Sequence, residues 1–168
     1  VNFTQTSAAT RSLSTLNMGD TSSATLGNAL DVYDAINFTA GGNLNLNAKN
    51  LTLKSNSTNT ARISDLTGST LSGASNVTVE RWIPQRGGNP LGGRAYRLLA
   101  PTVSSTGSIK TNWMEGGQVL ALGDSINPVQ YYGTHISGGS IANGFDQTQT
   151  GQPSLYLTTN GVTPTYYA

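Results

Sequence analysis

Leucine alternates with polar residues through Gly41-Gly42-Asn43-Leu44-Asn45-Leu46-Asn47 and again through Asn50-Leu51-Thr52-Leu53-Lys54-Ser55. A period of two sends every leucine to one side of the chain and every polar residue to the other, the pattern of a short half-buried strand. Two stretches so alike and so close together predict rungs that stack or fold back on each other. They argue against a helix-containing enzyme. The question for such a chain is what its outer surface is for.

Composition narrows the choice. Hydrophobic residues make up 36% of the 168 residues and charged ones only 10%, with a net charge of +1. Chains that stay disordered usually combine high net charge with few aromatics; here seven Tyr, two Trp and three Phe are present, mostly within alternating runs. Near neutrality gives no electrostatic footprint for nucleic acid. No apolar run approaches the roughly 18 residues of a membrane-spanning helix. The absence of cysteine, together with low charge and abundant Thr, Asn and Gly, fits an exported protein that needs no disulfide. The chain opens at Val1 without Met and stops at Thr165-Tyr166-Tyr167-Ala168, which reads as a strand in progress, so a processed product or fragment is expected.

Along the chain the fold class reads as all-β: short β-solenoid-like rungs running into an antiparallel β-sandwich. Residues 1–30 are rich in Ser and Thr and read as an extended arm or a first rung. Residues 31–75 read as β-helix-like rungs punctuated by Gly, Asn, Asp and Ser. Residues 76–168 read as the antiparallel sandwich, with strands expected at 76–84 and 94–101, followed by short apolar runs at 108–113 and 118–122 within it. Leu155-Tyr156-Leu157-Thr158-Thr159-Asn160-Gly161-Val162-Thr163 reads as a hairpin, because Asn-Gly tolerates the positive φ of a tight type I′ turn.

Several residues invite a chemical reading. Gly123-Asp124-Ser125-Ile126 has the form of a GDSL-esterase nucleophile motif, but His135 is the lone histidine and no Asp stands three residues before it. A plain turn is expected at Ser125, and a packed or hydrogen-bonded strand position at His135. With one histidine and no cysteine, no metal site and no cofactor are expected. Asp31 and Asp34 are three apart, so a regular strand would face them oppositely. Asp65, Glu80, Glu115, Asp124 and Asp146 are scattered, so no catalytic pair is expected. Arg81, Arg94 and Arg97 read as partners of Glu80 or Glu115, or as covers for aromatic faces. Trp82 and Trp113 read as core. Tyr131 and Tyr132 are adjacent, so on a strand one must face outward, and they are the candidate ligand-binding residues. Thr-x-Thr at Thr4, Thr148 and Thr163 is out of step with the rungs and reads as chance. The sequons at Asn37 and Asn50 matter only in a glycosylating host.

The ordered series Asn50–Asn56, Thr60-Ala61-Arg62-Ile63, Asn76-Val77-Thr78-Val79-Glu80-Arg81-Trp82-Ile83-Pro84, Arg94-Ala95-Tyr96-Arg97-Leu98-Leu99-Ala100-Pro101, Asn112-Trp113, Gly133-Thr134-His135-Ile136 and Gly144-Phe145-Asp146 resembles a module of large type IX-secreted surface proteins of Bacteroidota. The resemblance covers roughly residues 40–157. It implies a β-helical stretch running into a sandwich, a secreted or cell-surface location, a structural or adhesive role, and no active site to carry over. The expected function is therefore a non-enzymatic extracellular module that self-associates, or joins other surface proteins, through sheet edges. The alternatives are a carbohydrate-binding module acting on polysaccharide and, behind it, a β-solenoid lyase or hydrolase.

Overall fold

The computed structural model describes residues 11–73, 77–83, 102–115, 119–124, 134–159 and 162–166, the last eight of these strand positions, 157–159 and 162–166, for their backbone only. The chain divides into two compact units, Val1–Ser104 and Ser105–Ala168. The regular secondary structure of the described residues is mostly β-strand, as the alternation predicts.

In the first unit, strands fall alternately into two sheets. One contains β1 (Ser12–Met18), β3 (Leu30–Phe38), β5 (Leu51–Leu53) and β8 (Val77–Val79), in that order, with β6 (Arg62–Ile63) also paired to β3. The other contains β2 (Ser23–Thr25), β4 (Asn43–Asn45) and β7 (Thr70–Ser72). Every pairing in both sheets is parallel. The chain thus climbs in layers, crossing from one sheet to the other within each layer.

Register explains why. Leu30 pairs with Leu51 and Leu51 with Val77; Val32 pairs with Leu53 and Leu53 with Val79. In the second sheet Ala24, Leu44 and Leu71 stand in line. These columns, with Leu26, Ile36, Phe38, Leu46 and Ala61, form one core between the sheets. Fully burying a leucine, valine, isoleucine or phenylalanine side chain contributes about 1.5–3 kcal/mol. A slip of one residue would turn every leucine to solvent, so the alternation fixes the register.

The corners are as constrained as the strands. Gly41 takes φ +88° where the chain turns into β4, and a Cβ there would press on the Thr21 backbone one layer away. Gly73 takes φ +67°, and a Cβ there would overlap the Asn45 amide oxygen. Asp20 (φ 40°) with Thr21 (φ 62°), and Asn47 (φ 50°) with Ala48 (φ 56°), make left-handed corners without glycine. A β-branched Thr in that region is strained. The corners are stitched between layers by Asp20 N–H to Thr39 Oγ1 at 3.2 Å, Ser69 Oγ to Thr39 O at 2.7 Å and Asn47 Nδ2 to Leu26 O at 3.2 Å.

Several expectations change here. The layering reaches back to Ser12, so part of the stretch read as arm or first rung is strand; residues 1–10 lie outside the described residues. Val77–Val79 joins the parallel sheet instead of opening an antiparallel sandwich. Residues 109–112, expected as an apolar run of the sandwich, are a short helix α1 (Ile109–Asn112), whose Ser108 side chain accepts the Thr111 N–H. A hydroxyl at the N-cap satisfies an amide that a helix start would otherwise leave unpaired. The described part of 76–168 therefore does not form the expected antiparallel sandwich. Its antiparallel pairing is β9 (Tyr156–Thr159) with β10 (Val162–Tyr166), where the Asn-Gly signal placed a hairpin. The expected strand at 94–101 lies outside the described residues.

Leu44→Ala should lower the stability of the chain by about 2–5 kcal/mol through loss of burial and the cavity left behind, read from the urea midpoint. Ala48→Gly should raise it by up to about 1 kcal/mol by relieving a left-handed corner.

Candidate functional site

The outer wall of the larger sheet carries its densest set of functional groups around a break in β3. Between Val32 and Ala35 the strand spans one residue more than β1 does between Leu13 and Thr15. This bulge brings Tyr33 and Asp34 to the outside in succession, so Asp31 and Asp34 do not face oppositely as a regular strand requires. The next layer responds with an insertion. β5 pairs with β3 before the bulge and β6 after it, and residues 54–61 project between them, closed by the Ser55–Thr60 bridge. Asn56 Oδ1 holds the tip by accepting from Thr58 N and Asn59 N, at 2.8 and 2.9 Å.

Beside this loop two outward columns run across the strands. Asp31, Thr52 and Thr78 are in register. In the next column Lys54 meets Glu80, whose second oxygen accepts Ser55 N–H at 3.1 Å. The hydrogen bond from the Lys54 ammonium to Glu80 raises the lysine above its ordinary 10.5, against an opposing effect of burial and with help from the charges of Glu80 and Asp31. Trp82 continues the outward series after Thr78 and Glu80. Its N–H donates to Ser55 Oγ at 2.8 Å, and its side chain stands 54% exposed. Tyr33 is also exposed, at 38%. The placement of Trp82 in the core is thereby corrected, and the alternation of Val77, Thr78, Val79 and Glu80 carries the signal for it. Trp113 is half-buried.

Elsewhere on the wall, Asp34 accepts from Thr15 Oγ1 at 3.1 Å and from Arg62 Nη1 at 3.2 Å, tying three strands together. Asn37 donates to Asn17 Oδ1 at 2.9 Å. The second sheet shows solvent a plain array, Ser23, Asn43 and Thr70 in one row and Thr25, Asn45 and Ser72 in the other. At a corner, hydrogen bonds from the Thr67 side chain and backbone hold the Asp65 carboxyl below its ordinary 3.8.

In the second unit, His135 Nδ1 lies 3.0 Å from Asp146 Oδ2, and Asp146 is 4% exposed. The other carboxylate oxygen accepts Leu120 N–H at 2.9 Å. His135 is hydrogen-bonded, as expected, though it sits just outside the Ser137–Asp146 bridge and not within a strand. Asp124 Oδ2 accepts Ala121 N–H at 2.8 Å, closing a local turn. Ser125, Tyr131 and Tyr132 lie outside the described residues, so neither the nucleophile motif nor the expected tyrosine ligand site is placed. A groove of about 220 Å³ lies between α1 and the Ile141–Asn143 turn, lined by Ile109, Met114 and Phe145 among others. Among the described residues no three His, Asp or Glu side chains gather as a metal site, and no helix is long and apolar enough to cross a membrane.

No protein-family profile, curated protein or solved structure matches the chain.

A lysine raised by its partner contributes stability that is complete below its ordinary 10.5 and is lost as pH climbs through the higher folded value. The urea midpoint should therefore fall as pH passes upward through that range, and it should fall less in Glu80→Gln, where the anchoring charge is gone.

Proposed function

We propose that the chain is a non-enzymatic, extracellular structural or adhesive module of a bacterial cell-surface protein. Its parallel layers are read as a short β-solenoid that self-associates through its open ends. The observation that carries this is where the core is incompletely covered. Leu30, Val32, Leu44, Leu51 and Leu53 in the middle strands β3, β4 and β5 are buried, whereas Leu13 and Leu16 in β1, Leu71 in β7, and Val77 and Val79 in β8 are only partly so, although Met18 in β1 and Ala24 in β2 are covered.

Among the described residues no polar layer covers these part-exposed apolar side chains, and polar caps are what keep such arrays soluble and separate. Terminal strands also present unpaired backbone donors and acceptors to another strand. Glu80 N–H points inward to Leu53 O, and in an extended strand alternate amides face opposite edges, so those of Val77 and Val79 point to the far side. A second copy offering its β1 there would gain main-chain hydrogen bonds and cover both sets of apolar residues at once. The surface location is supported by the lack of cysteine and by a charge content of 10%, and the resemblance to type IX-secreted surface modules points the same way.

The chain at high concentration should form dimers and longer rods, seen by light scattering and electron microscopy. Val79→Lys, which puts an ammonium on the open end of the core, should require at least about tenfold more protein for the same assembly. Monomers at every concentration would refute end-on association.

A further inference from the structure

We infer that the outer wall around Trp82 is a binding site for a neutral polysaccharide chain. The inference rests on the adhesive reading and names what would be held. Four features of this patch occur together nowhere else among the described residues.

First, Trp82 is 54% exposed although its N–H is anchored to Ser55 Oγ, so the residue is tethered at its backbone while its indole remains available. It is the most exposed large apolar side chain among the described residues of the layered unit, ahead of Tyr33, Val103 and Leu66, and an indole left in water forgoes the burial that makes Trp valuable. Second, the insertion between β5 and β6, residues 54–61, projects beside it, held by Asn56 and the Ser55–Thr60 contact. In stacked architectures, insertions confined to one face commonly mark the binding face. Third, Tyr33 is pushed outward by the bulge in β3 and adds a second exposed ring, one strand across from Lys54. Fourth, the polar groups between the rings are hydroxyls and an internally neutralised pair: Thr52, Thr78 and the Lys54–Glu80 contact.

The ligand class follows from that chemistry. An aromatic face takes up the apolar C–H face of a pyranose ring, and a few fixed polar groups orient its hydroxyls. Thr hydroxyls both donate and accept, as sugar hydroxyls do. Lys54 is committed to Glu80 beside the negative Asp31, so Arg81, whose Nη1 donates to the Glu80 carbonyl at 3.1 Å, is the one cation next to Trp82 without a carboxylate partner among the described residues, too little charge to select a polyanion. Among the described residues the site lies on a broad wall with no enclosing cleft, which suits an extended chain more than a free monosaccharide. Strands in register hold the groups in place before the ligand arrives, which limits the ordering cost of binding.

The test is affinity electrophoresis of the whole chain through gels containing soluble neutral polysaccharides: a mixed-linkage glucan, a xylan, a galactomannan and a xyloglucan, with polygalacturonate as the charged comparison. Retardation by at least one neutral glycan is expected. It should weaken by about tenfold or more in Trp82→Ala, as for truncation of an aromatic anchor. Trp82→Phe should keep part of it, and Trp113→Phe all of it. In the Trp113→Phe variant the remaining indole fluorescence should shift on adding the glycan. Circular dichroism checks that each variant keeps its strands. No retardation in any neutral gel, retardation unchanged in Trp82→Ala, or retardation by polygalacturonate alone would overturn the inference. Trp82→Phe replaces one aromatic with another at an exposed position, so it remains informative if Trp82→Ala does not fold. Loss of glycan binding with rods still forming would remove this site and leave end-on assembly intact, whereas binding by strictly monomeric protein would do the reverse.

Discussion

Everything in the layered unit depends on apolar columns kept in register between two parallel sheets. Leu30, Leu51 and Val77 stand over one another, as do Val32, Leu53 and Val79, and across the core Ala24, Leu44 and Leu71 do the same. A single layer leaves its apolar face uncovered, whether its strand has three residues, as in β4, β5 and β7, or nine, as in β3. Only stacking supplies the neighbours. Stability is then largely a sum of contacts between adjacent layers, and among the described residues the first and last layers have a neighbour on one side alone. The part-exposed Leu16 and Val79 are the direct consequence.

A register this strict decides where variation is tolerated. Length can change only where the chain leaves the wall, and the third layer does so at the bulge in β3. There β5 ends, residues 54–61 leave, and β6 resumes the pairing. The interruption costs no buried leucine, since Ala61 returns the chain to the core at 0% exposure. The same bulge turns Tyr33 and Asp34 outward together, and Arg62 on the returning strand meets Asp34. A single extra backbone residue thus produces the loop, the exposed tyrosine and the ion pair. The corners bear strain as well: Asp20 and Ala48 hold left-handed conformations while their N–H groups donate to Thr39 Oγ1 and Gly73 O in the next layer.

Legibility in the sequence follows the same physics. Leu44, Leu51 and Leu53 were readable because strict alternation survives wherever one face is fully buried. β1 was obscured because Leu13 and Leu16 are separated by three, the trace of the β3 bulge, and because Ser and Thr supply most of its remaining length. Parallel pairing was not readable at all, since alternation states which face is buried and says nothing about which strand lies alongside. Ser108 to Asn112 looked like part of the sandwich through Ile109 alone, whereas the decisive signal was the Ser108 hydroxyl three residues before Thr111. Trp82 was placed inside on the general expectation that large aromatics fill a core. The local alternation of Val77, Thr78, Val79 and Glu80 argued for the opposite face, and here local pattern outweighed residue type. The link between His135 and Asp146 joins residues eleven apart through a buried carboxylate, and no spacing rule announces it.

End-on stacking and a lateral site have a useful relation to each other. Association through the terminal strands occupies the edges of the sheets and leaves their outer faces exposed. Each added copy would contribute four layers of the larger sheet, so Trp82 would recur along a rod about every 19 Å at the usual spacing of paired strands. A polysaccharide is itself periodic and long, so one strand could meet several copies. Once the first contact forms, the next is intramolecular, and avidity can exceed the affinity of one site by about 10²–10⁴. A shallow wall with modest affinity for each copy would then suffice for adhesion. An enclosed pocket would gain less from such repetition, because a chain threaded into one pocket cannot lie flat across the next.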